Sequence, residues 1–365
     1  MSLARNIDLL RRLPKVDGLR FADFGRSADA PGPLQEVADF GDNPGNLRMF
    51  AFAPAQLQMP RALVVVLHGC GQTAAAYDLG AGWSTLARHY GFALLMPEQQ
   101  RANNGNTCFN WFNPEDTARD SGEARSIREM IAHMVKTHRI DPRRVFITGL
   151  SAGGGMTSVM LATYPEVFAA GAVIAGLPYG IASNLREALD GMFHSPARPA
   201  RELGDLVRNA SDYRGPWPKM SVWHGSADRT VNPGNANEIV KQWLDLHDLP
   251  DVPMAETNVD GYPRQAWWNK DGETLVESYA ITDMAHGTAA RASRQRPALW
   301  RRRRVPDRGR HLLVLPHRKV LRPDRLDSGR GEEEGGGKAW SAEAGADASA
   351  ASGPLDPRRG RRTAG

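Results

Sequence analysis

The sequence predicts an α/β fold in which a mostly parallel, doubly wound sheet carries helices on both faces. Short apolar runs alternate with amphipathic stretches whose apolar residues recur every three or four positions. Several runs are apolar throughout, which is typical of parallel strands covered on both faces. In such sheets ligands bind beyond the carboxyl ends of the strands. The predicted strands are residues 47–53, 62–69, 92–98, 144–151, 170–176, 219–226 and 276–284.

Composition divides the chain into one large domain, residues 41–290, between an N-terminal extension, 1–40, and an Arg-rich tail, 291–365. The tail contains 19 basic and 9 acidic residues, a net charge of +10, so residues 1–290 carry −5 of the total of +5. The large domain therefore lacks the clustered basic character of a nucleic-acid groove, and no nucleic-acid partner is expected for it. Residues 177–218, rich in Pro and Gly, predict an insertion over the edge of the functional site.

The sequence shows neither a membrane span nor a secretory signal. No apolar run approaches the roughly 18 to 20 residues that a membrane helix requires, so no membrane partner is expected. In residues 1–18, charges are scattered among the apolar positions, which leaves no continuous apolar core of a signal peptide.

The strongest chemical motif is Gly149-Leu150-Ser151-Ala152-Gly153, which directly follows a predicted strand and directly precedes a predicted helix. In this setting the pattern predicts a nucleophile elbow, a tight turn that presents the serine hydroxyl above the sheet. Glycines flank the serine because a Cβ would collide with nearby backbone in so sharp a turn. The alternative is a glycine-rich helix start whose serine serves only as a cap.

A serine hydroxyl needs a base within hydrogen-bond reach and an acid that orients this base. In the elbow-containing folds the three residues follow the chain order serine, acid, histidine. Asp228 follows the strand at 219–226, and His286 follows the strand at 276–284. Both should lie at the same edge of the sheet as Ser151, so these three residues are predicted to form a catalytic triad.

Three other residues compete for the roles of acid and base. Asp283 precedes His286 by only three residues, and Asp245 lies within a helical stretch. His224 ends its strand but precedes the candidate acid, so we expect it to be a structural neighbour of the Asp228 turn rather than the base.

Hydrolysis through a tetrahedral intermediate also needs N–H donors for the developing oxyanion. One donor should be the backbone N–H of Ala152, the residue after the nucleophile, and the other should come from the loop after the strand at 62–69. Within this loop Cys70 is the predicted donor, with Gly71 as the near alternative. Cys70 and Cys108 are the two cysteines of the chain. They are either bonded or simply small buried residues.

Together these motifs resemble the poly(3-hydroxybutyrate) depolymerase-type esterases, relatives of feruloyl and acetylxylan esterases with the α/β-hydrolase fold. The resemblance covers roughly residues 45–290. It rests on four stretches: LHGCGQTAAAYDLGAGWSTLA, PEQQRANNGNTCFNWFNPED, DPRRVFITGLSAGGGMTSVMLATYPEVFAA and VWHGSADRTVNPGNA.

The resemblance implies hydrolysis of carboxylic esters without a metal or organic cofactor. Ser151, Asp228 and His286 match the family's triad, and Cys70 stands at its oxyanion position. Cys108 matches a disulfide partner of Cys70, and a bond between them would require an oxidising compartment. An extracellular location is therefore implied by the family. Trp111 and Phe112 either line the acyl site or belong to ordinary core packing.

After Thr288 the resemblance stops, and an Arg-rich tail replaces the family's closing segment. With permitted codons, reading residues 300–323 one nucleotide later gives GAGAGFLIEVGISSSYHIAKFFG, which resembles the family's C-terminal segment. This predicts that residues from about 289 onward derive from a shifted reading frame. A genuine tail should instead be disordered, because it has too few apolar residues to offset the ordering entropy.

The leading functional hypothesis is a serine carboxylester hydrolase that acts through an acyl-enzyme on polymeric or oligomeric hydroxyalkanoate esters. Feruloyl or acetylxylan-type esters are alternative substrates, since they require the same triad. Two further readings are an inactive family member with a disrupted C-terminus and a tail that binds nucleic acid through its positive charge.

Overall fold

The computed structural model describes residues 32–288. Most of the N-terminal extension and the whole Arg-rich tail lie outside these residues. The hypotheses of a shifted reading frame and of a disordered tail both concern that tail, so they also fall outside the described residues. Within the described part, no helix is both long and apolar enough to cross a membrane.

Ten strands of the described residues form one sheet with the order β1-β2-β4-β3-β5-β6-β7-β10-β9-β8. The six central strands, from β4 to β10 in this order, are parallel, whereas β1, β2, β8 and β9 pair antiparallel at the two edges. The strands are β1 (Gln35–Val37), β2 (Arg48–Phe52), β3 (Leu63–Leu67), β4 (Ala93–Glu98), β5 (Val145–Leu150), β6 (Ala170–Ile174), β7 (Lys219–Gly225), β8 (Ala255–Val259), β9 (Tyr262–Trp268) and β10 (Thr274–Ile281).

The mostly parallel sheet confirms the predicted fold class, and each of the seven predicted strands is present. The prediction omitted three edge strands. Of these, β8 and β9 form a hairpin around Asp260 and Gly261, which both have positive φ values, 52° and 92°. An Asp-Gly pair between two strands is a strong hairpin signal, so the sequence contained the information needed to find this element.

Eight α-helices connect the strands of the described region. They are α1 (Ala74–Ala81), α2 (Trp83–Tyr90), α3 (Pro114–Thr117), α4 (Gly122–His138), α5 (Ala152–Thr163), α6 (Leu185–His194), α7 (Ala200–Arg208) and α8 (Gly234–His247). Buried residues of α4, α5 and α8 pack in one hydrophobic cluster, and those of α1 and α2 pack in another. Helices therefore cover both faces of the sheet.

Strand β3 shows why its sequence is apolar throughout. Its residues at 63, 65 and 67 belong to one cluster, and those at 64 and 66 belong to the other. All five are essentially inaccessible to solvent. Burial of each such side chain contributes on the order of 1.5–3 kcal/mol, so the two-sided core anchors the strand whose carboxyl end carries the predicted oxyanion loop.

The segment predicted as an insertion, residues 177–218, contains α6 and α7 between β6 and β7. Leu203 and Val207 of α7 are buried, and this helix packs extensively against α8. The insertion is therefore a packed part of the domain.

Candidate active site

Ser151 occupies the tight turn between β5 and α5. Its backbone adopts φ 58° and ψ −118°, which a non-glycine residue rarely adopts. The Ser151 N–H donates to the carbonyl of Ile174 at 2.9 Å and so ties the turn to the end of β6. A Cβ at Gly149 would collide with the carbonyl of Gly153, and a Cβ at Gly153 would collide with that of Leu67. The two flanking glycines are therefore sterically required.

Helix α5 begins directly after the serine, and all twelve of its residues are buried. Its first residue is Ala152, whose N–H belongs to the first turn and has no intrahelical acceptor. This N–H faces the same end of the sheet as the turn. The helix thus supplies a rigid backbone donor next to Ser151.

Asp228 lies after β7 and its carboxylate is completely buried. Its Oδ1 accepts hydrogen bonds from the backbone N–H groups of Thr230 at 2.8 Å and Val231 at 3.0 Å. Its Oδ2 accepts from Nδ1 of His286 at 2.8 Å and lies 3.2 Å from Nε2 of His224. Because a carboxylate only accepts, the proton of His286 is on Nδ1, which leaves Nε2 as the acceptor.

Burial by itself would raise the pKa of Asp228. Hydrogen bonds from His224 and His286 and from the backbone of Val231 outweigh this effect, and the pKa is held well below its ordinary value. Asp228 is therefore a carboxylate at neutral pH, as a residue that orients an imidazole must be.

The acid and the base meet because β7 and β10 are parallel neighbours whose following loops interlock. A Cβ at Gly225 would collide with the carbonyl of Met284, so a glycine permits the close approach of the two loops. Three hydrogen bonds then join them: Ser226 N–H to Ile281 O at 3.0 Å, Ala227 N–H to Met284 O at 3.1 Å, and Asp283 N–H to Ser226 Oγ at 2.9 Å.

The competing residues have other partners. Asp283 is exposed, and Asp245 on α8 forms an ion pair with Arg208 on α7 at 2.6 Å. His224 is a buried neighbour of the Asp228 turn, where its Nε2 also lies 3.0 Å from the carbonyl of Val231. Its direct contact with the Asp228 carboxylate was not anticipated from the sequence, although the spacing of four residues around a turn makes such a contact possible.

The loop after β3 contains both candidates for the second oxyanion donor, and their hydrogen bonds distinguish them. The Gly71 N–H donates to the carbonyl of Asn106 at 2.7 Å, so this donor is already engaged. Within residues 32–288, the N–H of Cys70 has no hydrogen-bond acceptor. The geometry therefore favours Cys70 over Gly71 as an available donor.

Buried polar contacts hold this loop in place. His68 donates from Nδ1 to the carbonyl of Gly69 at 2.8 Å, and its Nε2 accepts from the N–H of Gln99 at 3.1 Å. Burial lowers the pKa of His68 to about 4, so the ring is neutral. The side chain of Gln99 in turn donates to the buried Glu123, whose pKa burial raises well above its ordinary value. This network was not predicted from the sequence, although polar residues at the end of an apolar strand suggest it.

Cys70 and Cys108 form a disulfide bond between the loop after β3 and the loop after β4. The bond anchors the backbone of Cys70, and therefore its N–H, to the loop that carries Cys108. Trp111 and Phe112 follow on the same loop, half-buried, with their rings perpendicular and their centroids 5.5 Å apart. Trp111 also packs against the core, where a Cβ at Gly155 would lie 2.6 Å from its Cγ.

No group of three or more His, Cys, Asp or Glu residues suited to a metal ion occurs in the described part of the chain. The buried carboxylates pair with protein side chains instead. For example, Glu277 pairs with Arg264 at 2.8 Å and accepts from Ser221 at 3.0 Å.

The elbow, the acid–histidine pair and the donor loop each follow the carboxyl end of a parallel strand, so they lie at one edge of the sheet. Residues 49–261 match the model of the family described as Esterase PHB depolymerase. The chain belongs to this esterase family. Its fold and family are those of carboxylic ester hydrolases, which confirms the resemblance seen in the sequence.

Three relatives illustrate the family. Poly(3-hydroxyalkanoate) depolymerase C from Paucimonas lemoignei is 48% identical over 256 residues, which cover 70% of this chain and 62% of the depolymerase. Acetylxylan esterase from Coprinopsis cinerea is 34% identical over 263 residues, 70% of this chain and 69% of the esterase. Feruloyl esterase B from Neurospora crassa is 35% identical over 257 residues, 67% and 84% of the two chains. The esterase chain thus spans about three fifths of the depolymerase's length.

A solved structure supports the same family assignment. Acetyl xylan esterase from Aspergillus awamori superposes with a TM-score of 0.64 at 28% sequence identity, and the match covers 70% of this chain and 94% of that one.

Proposed function

We propose that the chain is a serine carboxylester hydrolase in which Ser151 is the nucleophile, His286 the general base and Asp228 the acid that orients it. The observation that carries this proposal is the 2.8 Å hydrogen bond from His286 Nδ1 to the buried Asp228 carboxylate. It leaves Nε2 of His286 free to accept a proton, and it stabilises the imidazolium that results.

The reaction has two half-reactions. Ser151 Oγ attacks the ester carbonyl carbon while its proton passes to Nε2 of His286, and a tetrahedral oxyanion forms. Collapse of this intermediate breaks the bond to the alcohol, which leaves with the proton from His286, and Ser151 retains the acyl group. Water then gives a proton to His286 and attacks the acyl carbon. In the second collapse the bond from Ser151 Oγ to the acyl carbon breaks and His286 returns the proton to Oγ, which releases the carboxylic acid and restores both residues.

The N–H groups of Ala152 and Cys70 are the proposed oxyanion donors. Ala152 supplies the first-turn N–H of a buried helix, which needs no rearrangement to bind negative charge. The Cys70 N–H is held by the disulfide and by the engaged neighbouring Gly71. Two preorganised donors stabilise the oxyanion more than the neutral carbonyl, so they lower the barrier.

Hydroxyalkanoate polyesters or oligomers are the proposed substrates. The support is the 48% identity to a protein named poly(3-hydroxyalkanoate) depolymerase C. We assign the partly exposed Trp111 and Phe112 to the acyl side of the site, because they follow the disulfide-linked loop and offer apolar surface to an alkyl chain.

Acetyl or feruloyl esters of polysaccharides form the second candidate substrate class. Support comes from the 34–35% identity to proteins named acetylxylan esterase and feruloyl esterase B. The same three residues would perform the same chemistry on these esters, so the acyl and alcohol groups alone distinguish the two candidates.

Hydrolysis of p-nitrophenyl esters of graded chain length, methyl ferulate and hydroxybutyrate oligomers tests the proposal. We expect activity on at least one ester class and a loss of roughly 10³-fold or more in Ser151→Ala. Unchanged rates in Ser151→Ala would refute the mechanism. A correctly folded wild-type chain without activity would instead support the hypothesis of an inactive member.

A location outside the reducing cytosol is also proposed, because the Cys70–Cys108 bond persists in an oxidising environment. Mass spectrometry of thiol-labelled protein from the native source would show both cysteines protected. Labelling of both cysteines without prior reduction would contradict this location.

The tail, residues 289–365, lies outside the described part, so its two hypotheses need tests of their own. DNA sequencing around the codons for residues 286–290 tests the shifted frame. A nucleic-acid role for the tail would appear as salt-sensitive DNA retention that disappears on truncation after Ala290.

A further inference from the structure

The loop that carries His286 is held from two sides. On one side, hydrogen bonds join it to the loop after β7, which carries the proposed acid. On the other side, the hydroxyl of Tyr77 on α1 lies 3.2 Å from Oγ1 of Thr288, a hydrogen-bonding distance. Thr288 is only two positions after His286, whereas Tyr77 is 211 positions from Thr288 in the chain. Only the fold brings this tyrosine to the loop of the proposed base.

Tyr77 is fixed in the core. Its side chain is 3% exposed and belongs to the same hydrophobic cluster as Met284, which lies in the His286 loop. Burial raises the pKa of Tyr77 to about 12, although hydrogen bonds with Thr288 and Trp83 oppose the rise. The phenol therefore stays protonated, and keeps its hydrogen bond, at every pH at which an imidazole acts as a base.

Helix α1 is itself attached to the loop of the proposed oxyanion donor. It begins at Ala74, four residues after Cys70, and the Thr73 hydroxyl caps its first turn. The Ala74 N–H donates to the buried carboxylate of Glu98, at the end of β4, at 2.8 Å. Because α1 follows the oxyanion loop directly and is anchored at its first residue, Tyr77 links the base loop to that loop.

The hydroxyl distinguishes Tyr77 from an ordinary core residue. A phenylalanine would fill the same apolar space, and burial of a hydroxyl costs free energy unless the group is hydrogen-bonded. Here the hydroxyl reaches Thr288, which is only partly buried and follows the proposed base. This hydrogen bond therefore restrains the loop of His286 rather than the core.

We propose that Tyr77 is a positioning residue for His286, and that its hydrogen bond to Thr288 keeps the imidazole in a fixed orientation toward Ser151. The inference rests on the proposed function, because it concerns the same site. Proton transfer requires hydrogen-bond distance, so a small displacement of the base slows the reaction. Tyr77 acts through Thr288 and takes no part in the proton transfers.

A double-mutant cycle on kcat/KM of the full chain for ethyl butyrate tests the proposal. Tyr77→Phe and Thr288→Val remove the hydrogen bond from opposite ends, and each should reduce kcat/KM roughly 3- to 10-fold, as loss of a neutral hydrogen bond would. The double variant should match Tyr77→Phe, because the bond is already absent there. Thr288→Ser retains a hydroxyl and should recover most of the rate. Fully additive losses would overturn the proposal.

The leaving group separates positioning of the base from a general loss of packing. His286 must give its proton to ethanol, whereas p-nitrophenolate leaves without one. Tyr77→Phe should therefore slow ethyl butyrate more than p-nitrophenyl butyrate, and change the ratio of their kcat/KM values by roughly threefold. Tyr164→Phe is the matched control, since its buried hydroxyl contacts Asp120 beyond the end of α5 opposite to Ser151. It should leave the ratio unchanged, and an unchanged ratio in Tyr77→Phe would refute the positioning role.

NMR of protein with isotope-labelled histidine distinguishes failure of this proposal from failure of the proposed function. The ring signals of His286 are assigned by their absence in His286→Ala. They should shift or broaden in Tyr77→Phe and in Thr288→Val, whose position is only partly buried, and stay unchanged in Tyr164→Phe. Unchanged signals in both test variants would contradict the proposal, whether or not esters are hydrolysed. Shifted signals in a chain that hydrolyses no ester would refute the proposed function alone.

Discussion

His224 Nε2 lies 3.2 Å from the Oδ2 of Asp228, the same oxygen that accepts the hydrogen bond from His286. The proposed acid thus contacts two histidines, one buried behind it and one facing the site. His224 also approaches the carbonyl of Val231 at 3.0 Å, so its Nε2 must carry a proton. We therefore expect His224 to position the Asp228 carboxylate.

Removal of the His224 donor should lower kcat with little change in KM, because His224 does not reach the substrate. We expect His224→Leu to reduce kcat roughly 10- to 100-fold, as loss of a hydrogen bond to a buried charge costs about 1.5–3 kcal/mol. His224→Gln retains an N–H donor and should recover most of the rate. Equal losses in Leu and Gln variants, with equal melting temperatures, would contradict the positioning role.

The assignment of Asp228 rather than Asp283 as the acid can be tested by a matched pair of substitutions. Asp228→Asn should reduce kcat by roughly 10³- to 10⁴-fold at pH 7, because the amide favours the wrong histidine tautomer. Asp283→Asn changes an exposed residue three positions before His286 and should remain within twofold of wild type. A large loss in Asp283→Asn with activity retained in Asp228→Asn would reverse the assignment.

The disulfide should contribute both stability and activity. The bond joins residues 38 positions apart, a loop for which chain-entropy arguments give about 3–4 kcal/mol. We expect Cys108→Ala to lower the free energy of unfolding by a similar amount, measured in urea, and to reduce kcat because the Cys70 loop loses its anchor. The double variant Cys70→Ala/Cys108→Ala should be no less stable than Cys108→Ala, and a further large loss would indicate that Cys70 acts independently of the bond.

The pH dependence of stability should reflect buried His68. Burial lowers its pKa to about 4 from 6.5, so between these values the unfolded chain binds more protons than the folded one. Above pH 6.5 His68 therefore costs the folded protein no stability. As the pH drops from 6.5 towards 4, the free energy of unfolding falls by about 1.4 kcal/mol per pH unit because of this residue.

Urea unfolding of His68→Asn between pH 4 and 8 measures this contribution. The variant should show a shallower loss at acid pH, although some slope will remain because burial also lowers the pKa of His247. His89→Asn, at an exposed position, is the control and should retain the wild-type slope. The same slope in all three proteins would show that His68 is not the titrating group.

Packing between Gly155 and Trp111 provides a further test. A Cβ at position 155 would lie 2.6 Å from Cγ of Trp111, inside a helix that is buried on every side. We expect Gly155→Ala to cost about 1–3 kcal/mol of unfolding free energy, the usual effect of overpacking. The smaller side chain in Trp111→Leu should restore part of this loss in the double variant. Purely additive effects would mean that the two residues do not compete for space.

The sequence by itself determined the parallel centre of the sheet and the elbow at Ser151. Both depend on local patterns, since two-sided burial makes a strand apolar throughout and a sharp strand-to-helix turn requires small residues at fixed positions. Chain order and strand ends also predicted Asp228 and His286, because the carboxyl ends of parallel strands share one edge. The Asp260-Gly261 hairpin was equally local and could have been found.

Only the tertiary structure decided which long-range partners these residues have. The capture of the Gly71 N–H by Asn106 and the pairing of Gln99 with Glu123 join segments whose separation in the chain follows no period. Such contacts arise where loops and helices pack, and packing depends on the whole fold rather than on any local run of residues.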